Sequence, residues 1–476
     1  MNRTRITSPV VLLAAAVGLS GCSLAPKYER PPLPVADAFP AEAAPAPAAE
    51  EAPEAAAAPA AKDVPWQEFF TDARLKSVID LALANNRDLR VATLNVQKAQ
   101  ALYRIQRSEL NPTIGVQATG DRTRIPESIG KDGVASVSST YTVGLGLASW
   151  ELDLFGRLRS LKARALEQYF ATEEARRGAQ TSLVAAVAGS WLSLAADEEN
   201  LALSKGTLEA QGSAFELIRK SREAGVASDL DLRQAESQVE AARASVAAYT
   251  GAAAVSRNAL ELLVGAKVPA ELLPGRLVPV TDPKGLSAGL PSDVLLRRPD
   301  IVAAEHQLRG ANANIGAARA AFFPRISLTA GFGTTSPDLD GLFKSGTKMW
   351  TFAPQIVSPL FASGSLFANL KVSKVDREIA VATYEKAIQA AFAEVSDALA
   401  LRTTLVAQRE AQDALVVALE ETLRLSDARY KGGIDAYLPV LFAQQSLFGA
   451  QRAAVGVRFA EQANLVTLYK VLGGGV

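Results

Sequence analysis

Apolar positions along the chain change period twice, each time at a proline. Ala311, Ile315, Ala318 and Phe322 fall three to four apart, the spacing of one helix face. Pro324 forbids further helix and biases the residue before it toward an extended conformation. From Arg325 the period is two: Ile326, Leu328, Ala330 and Phe332 alternate with Ser327, Thr329, Gly331 and Gly333. A strand with one bulky apolar face and one small polar face suits lipid on one side and a watery lumen on the other. The same junction occurs 212 residues earlier, where Arg107, Pro112, Ile114 and Ala118 fall in register with Arg319, Pro324, Ile326 and Ala330. Upstream, Asp88, Ala92, Ala99 and Ala101 match Asp300, Ala304, Ala311 and Ala313. The chain is a tandem duplication.

The remaining pattern predicts a first helix over 75–110, then a hairpin. Ile114, Val116 and Ala118 lie on its apolar face, its tip spans 125–139, and Tyr141, Val143, Leu145 and Leu147 lead back. Residues 155–220 hold no proline and carry a heptad line through Val187, Leu194, Leu201, Leu208 and Phe215, the mark of a long helix wrapped against neighbours. Gly225 suits its C-cap and Ser228 or Asp229 the cap of a returning helix over 229–264. The second half repeats the plan. Trp350, Phe352 and Ile356 mark a returning strand, and residues 361–429 a second long helix with Ile388, Phe392, Val395, Leu399 and Val406 on one seam. Pro439 is tolerated in the first turn of the last helix. Gly225, Val226 and Leu230 recur, 208 positions on, as Gly433, Ile434 and Leu438.

Four strands cannot close a membrane barrel, and open strand edges are forbidden in lipid, so several chains must pool their hairpins. The fold class expected is an α+β membrane protein.

Composition narrows the function. The 476 residues carry a formal net charge of +0, which gives no sign of a nucleic-acid partner. One cysteine and one histidine leave no disulfide framework, no metal cage and no cofactor motif, so no enzyme is expected. The lone His306 reads as a packing or surface residue. Arg3, Arg5, the apolar run from Val10 to Val17 and Leu19-Ser20-Gly21-Cys22 form an export signal that resembles a bacterial lipobox, with Cys22 as the lipid-attachment residue. The organisation expected is a signal peptide over 1–21 and a lipidated, extended and poorly ordered Pro/Ala-rich tether over 22–65. The two structural repeats cover 66–265 and 300–476, with an irregular linker over 266–299 between them.

Beyond Trp66, several segments resemble the TolC superfamily, and within it the OprM/NodT-type outer-membrane lipoproteins. They are Asn85-Asn86-Arg87-Asp88-Leu89, Trp150-Glu151-Leu152-Asp153-Leu154-Phe155-Gly156, Leu290-Pro291-Ser292-Asp293, Arg297-Arg298-Pro299-Asp300-Ile301 and Ala321-Phe322-Phe323-Pro324. The resemblance implies a homotrimer with a twelve-stranded barrel in the outer membrane of a Gram-negative bacterium and a helical coiled-coil tunnel in the periplasm. It also implies a tripartite multidrug efflux pump with a periplasmic membrane-fusion adaptor and an inner-membrane RND-type proton antiporter. Gly225, Val226, Gly433 and Ile434 would then form the adaptor-docking tips. Related channels ring their aperture with acidic residues at the start of the last helix, where this chain has Pro439, Phe442 and Gln445. Leu438 and Phe442 are the expected apolar gate, with Asp229, Asp231 and Asp435 as nearby carboxylates and Arg222 and Arg429 as their pairing cations in the closed state. The alternatives are a channel serving protein secretion or metal export, and a lipid-anchored coiled-coil scaffold of the envelope.

Overall fold

Each half of the chain runs helix, strand, strand, long helix, return helix, as its duplicated pattern requires. The structure is a computed structural model of the single chain and describes residues 23–39, 65–281 and 292–474; the signal peptide, Cys22 and residues 40–64 of the expected tether lie outside the described residues. In the first half come α1 (Ala73–Asn85), α2 (Arg87–Ser108), β1 (Ile114–Ile125), β2 (Ser136–Glu151), α3 (Arg157–Glu223) and α4 (Asp229–Val264). In the second come α5 (Pro299–Ala320), β3 (Arg325–Ser336), β4 (Lys348–Val357), α6 (Ser365–Lys431) and α7 (Leu438–Val471). The two long helices have 67 residues each, α2 and α5 have 22 each, and β1 and β3 have 12 each. Matching lengths are what a duplication predicts.

Two departures from the sequence pattern have local causes. The helix expected over 75–110 is broken at Asn86, which ends α1 and caps α2. Its Oδ1 accepts from Leu89 N at 2.8 Å and its Nδ2 donates to Leu263 O at 2.8 Å. Gly265, in the left-handed region at φ 75°, closes α4 against this corner so tightly that a Cβ there would meet Asn85 O at 2.6 Å. The second long helix begins at Ser365, not near 361, because Ser363 and Gly364 turn the chain at φ 46° and 80°.

Contacts divide the chain into two compact units. One comprises residues 95–173 and 303–384 with the segment up to Pro32, and holds a four-stranded antiparallel sheet in the order β1-β2-β3-β4. Register places Val116 beside Leu145, Leu145 beside Phe332, and Phe332 beside Trp350, so one face is a continuous apolar band. Val116 and Trp350 are 77% and 74% exposed in the single chain. A continuous apolar band of this kind, backed by a small glycine-rich face, suits a barrel wall against lipid. The other face is small: Gly144 pairs with Gly333 and Gly146 with Gly331. At Gly144 a Cβ would lie 2.8 Å from Phe332 O, so only glycine fits that crossing. The first hairpin tip spans 126–135, shorter than expected because both strands run on past the membrane-facing band. β1 and β4 keep open edges, which another copy must pair.

The second unit comprises residues 174–302 and 385–476 with the segment 33–94. Its core packs Phe70, Leu75, Ile79, Trp191, Leu192, Leu194, Leu260 and Tyr469, all under 2% exposed. The heptad line is graded: Val187, Leu194 and Leu201 are buried, while Leu208 and Phe215 are half-buried in one chain.

Candidate functional site: the paired helix tips

Both helical hairpins end in the same construction. At the end of α3, Val226 N donates to Ser221 O at 2.8 Å and Gly225 N to Arg222 O at 2.9 Å, while Gly225 takes φ 76°. At the end of α6, Ile434 N donates to Arg429 O at 3.0 Å and Gly433 N to Tyr430 O at 3.0 Å, with Gly433 at φ 70°. Each is a Schellman cap, whose left-handed residue favours glycine. In that motif the next residue commonly packs an apolar side chain back on the helix. Here that partner position holds Ser221 or Arg429, and Val226 and Ile434 stand 83% and 67% exposed.

Beneath the tips Ile218, Ala235, Tyr437, Val440 and Leu441 form a buried cluster. Tyr430 and Tyr437 meet edge-on at 5.0 Å, and burial pushes the Tyr437 hydroxyl up to about 12. Val440 and Leu441 occupy the inner face of the first turns of α7, which turns Leu438 and Phe442 outward, 39% and 60% exposed. Pro439 sits in that first turn, where its missing N–H costs nothing.

The charged residues are already engaged within each tip. Arg222 Nε donates to Asp229 Oδ1 at 2.8 Å, and Arg429 holds Asp435 through two hydrogen bonds, one of them Nη2 to Oδ1 at 3.0 Å. The Arg429 guanidinium keeps the Asp435 carboxyl below its usual range. Asp231 is a cap: its Oδ2 accepts from Ser228 N at 3.0 Å, and its N donates back to Ser228 Oγ at 3.1 Å. Asp231 therefore caps the start of α4, while Asp229 and Asp435 each pair with an arginine of their own tip. His306 lies in the other unit, with Nδ1 2.6 Å from Glu167 Oε2 and its ring beside Phe170.

The pattern of residues did not reveal a second construction, the segment just past Cys22. Read as part of the tether over 22–65, it instead lies along α5. Leu24 O accepts from Arg319 Nη1 at 3.0 Å, and Pro26 O from Asn312 Nδ2 at 2.8 Å. Tyr28 and Arg30 both donate to Glu305, with Arg30 Nη2 2.7 Å from Oε2. Glu305 is buried and also accepts from Arg309 at 2.6 Å. Burial alone would raise its pKa; the bonds from Arg30, Arg309 and Tyr28 outweigh that and hold it below the usual carboxylate range. The only signal was a tyrosine and an arginine in an otherwise featureless tract. A group whose folded pKa is depressed stabilises the fold above its unfolded pKa and loses that effect as pH falls through the folded value. The melting temperature of Glu305→Gln is therefore expected to lie below that of the wild type at pH 7, with the gap narrowing as pH drops below about 4.5. A gap that is constant with pH would sink this account.

Comparison with known proteins adds to these observations. A family model described as "Outer membrane efflux protein" matches residues 78–266 and 290–474, once for each half. The toluene efflux pump outer membrane protein TtgC of Pseudomonas putida is 46% identical over 464 residues, 98% of this chain and 95% of that protein. Outer membrane protein OprJ of Pseudomonas aeruginosa is 43% identical over 469 residues, again 98% and 95%. Among solved structures, a membrane protein from Pseudomonas aeruginosa superposes with a TM-score of 0.86 at 42% identity, covering 95% of this chain and 98% of that one. The open state of the Neisseria gonorrhoeae MtrE outer membrane channel gives 0.86 at 40% identity, with the same coverage.

Proposed function

Because the chain belongs to the outer membrane efflux protein family and is the outer-membrane exit duct of a tripartite efflux pump, we propose specific roles for its tips, its gate and its anchor. Three chains pool four strands each into a twelve-stranded barrel in the Gram-negative outer membrane, and their long helices build a tunnel. The duct lowers a barrier by offering a wet path and does no covalent chemistry. Its energy comes from the inner-membrane partner, here an RND-type proton antiporter joined through a periplasmic membrane-fusion adaptor. Its cargo is drugs and small apolar organic compounds, the class to which the toluene of its relative's name belongs. Cys22 carries the lipid that holds each chain to the membrane.

Adaptor docking is placed at Gly225-Val226 and Gly433-Ile434. The observation that carries it is the pair of matching glycine caps, each followed by an apolar side chain that stands mostly in water. A turn alone needs only the glycine. A photo-crosslinking residue at Val226 or Ile434 is expected to capture an adaptor through its helical hairpin. Crosslinks confined to other copies of this chain would defeat the assignment.

The gate is placed at Leu438 and Phe442. They lie four residues apart on the outward face of α7, and three copies would form two apolar rings that exclude water by dewetting. The Arg222–Asp229 and Arg429–Asp435 pairs hold each tip in its closed shape. Phe442→Ala is expected to raise the open probability and conductance of single trimers in planar bilayers several-fold; a channel that stays as tightly closed as the wild type would refute the gate.

A further inference from the structure

The duplication lets one half be read against the other. At a shift of 212, Asn86 falls on Arg298 and Thr93 on Glu305; at 208, the shift between the two equal long helices, Arg176 falls on Tyr384. The correspondence extends to bonds. Asn86 Nδ2 donates to Leu263 O and Arg298 Nη1 to Val471 O, carbonyls that are themselves 208 positions apart. In the second half Glu305 and Tyr384 are buried, 5% and 0% exposed. A strap of the same chain lies over Glu305 and binds it through Tyr28 and Arg30. An acidic floor there receives a basic segment.

In the first half the equivalent positions are open and the charge is reversed. Arg87, Arg90 and Thr93 are exposed, and Arg176 and Gln180 half-buried. With the corner at Asn86 they line a cleft of about 500 Å³ between α1, α2 and α3. Three guanidiniums line this cleft and no carboxylate does. Arg87 Nη1 donates to Asn85 O at 3.0 Å and Arg176 Nη1 to Gln180 Oε1 at 3.2 Å, both uncharged acceptors. The acids nearby in sequence do not neutralise them: Glu174 pairs with Arg177 at 2.8 Å, and neither Asp88 nor Glu173 is part of the wall. Like charges gathered in one concave site repel, and an oxyanion between them relieves that while accepting from planar forks that match its two oxygens.

We propose that this cleft docks an acidic peptide segment of a partner protein in the periplasm, held by Arg87, Arg90 and Arg176. The occupant is a short stretch of chain because a short stretch of chain binds at the equivalent position of the other half. It is acidic because the wall that receives it is basic where the other is acidic. Arg176 stands about 70 Å along α3 from Gly225 at the standard rise, so this contact is separate from the tips. A partner that reaches both would gain from each contact at once.

The test titrates a short fluorescent peptide, glutamates in an Ala/Pro background, into the purified full-length trimer and follows its anisotropy. Binding is expected, and it should weaken as salt rises. Arg90→Gln with Arg176→Gln should weaken it about tenfold or more while the trimer dissociates at the wild-type temperature. Arg90→Glu with Arg176→Glu should exchange the preference for a lysine version of the same peptide. No binding by the wild type, a glutamine peptide bound as tightly as the glutamate one, or an unchanged affinity in the Arg90→Gln, Arg176→Gln variant would each overturn the proposal. Free glutarate that displaces the peptide at equal concentration would mean a small-anion site only. A photo-crosslinking residue at Thr93 that joins two channel chains in cells would mean that a neighbouring copy fills the cleft. Either of these also overturns it.

Discussion

Val226→Asp combined with Ile434→Asp is expected to reduce drug resistance to the level of cells lacking the channel, with the trimer intact. Both positions are open to water in the single chain and neither supports its own tip core, which is built from Ile218, Ala235, Tyr437, Val440 and Leu441. Surface changes of that kind alter stability little. At a docking contact the same carboxylate must be stripped of water without a partner, and losing a central apolar anchor costs about 2 kcal/mol or more, roughly 30-fold in affinity. A trimer presents six such tips, and binding that depends on several contacts at once collapses faster than any one of them. Susceptibility assays, run beside heat-modifiable migration of the trimer on gels, separate lost docking from lost assembly. Retained resistance with both aspartates present would remove the tips from the interface. Val226→Leu with Ile434→Leu keeps the apolar projection and should leave resistance unchanged.

How much of this was legible differs from element to element. Pro324 announced the switch from helix to strand, and β3 begins at the next residue, because a missing N–H and a fixed φ act locally. The equal halves and the two glycine tips were legible for the same reason. The break at Asn86 was not. Asn85-Asn86-Arg87 fits a helical period well enough, and only Leu263 O and the close approach of Gly265, brought in from the far end of the repeat, make a corner the better choice. Asp229 and Asp231 looked alike in sequence, yet one pairs with Arg222 and the other caps α4. A difference of two positions at a helix start decides which backbone N–H a carboxylate can reach. The strap was hidden for a third reason: composition reports the average of a tract, while Tyr28 and Arg30 bind as individuals.

The segment Arg297-Arg298-Pro299-Asp300-Ile301 gains a physical meaning, and it carries the largest expected effect on stability. Arg298 is buried and joins three helices of one unit. Its Nη1 donates to Val471 O at 2.8 Å, satisfying a carbonyl at the end of α7 that has no partner within its own helix. Nη2 donates to Glu394 on α6 at 2.8 Å, and Nε and Nη2 together hold Asp300 in the first turn of α5 at 3.1 and 2.8 Å. Burial alone would lower the arginine's pKa, but these two carboxylates raise it above its usual value, so the guanidinium stays charged. Arg298→Ala leaves a helix-end carbonyl without its donor and two carboxylates facing each other. Asp300 and Glu394 remain half open to water, which places the cost near the lower end for a broken buried ion pair, about 3 kcal/mol. The temperature at which the purified trimer dissociates should fall by roughly 5 °C or more. Arg298→Lys should recover only part of that, since one ammonium cannot serve three directions at once. Arg424→Ala is the contrast, because its pair with Glu421 is fully solvated and its removal should leave the dissociation temperature unchanged. Equal losses for Arg298→Ala and Arg424→Ala would mean that the knot at the start of α5 does not secure the unit.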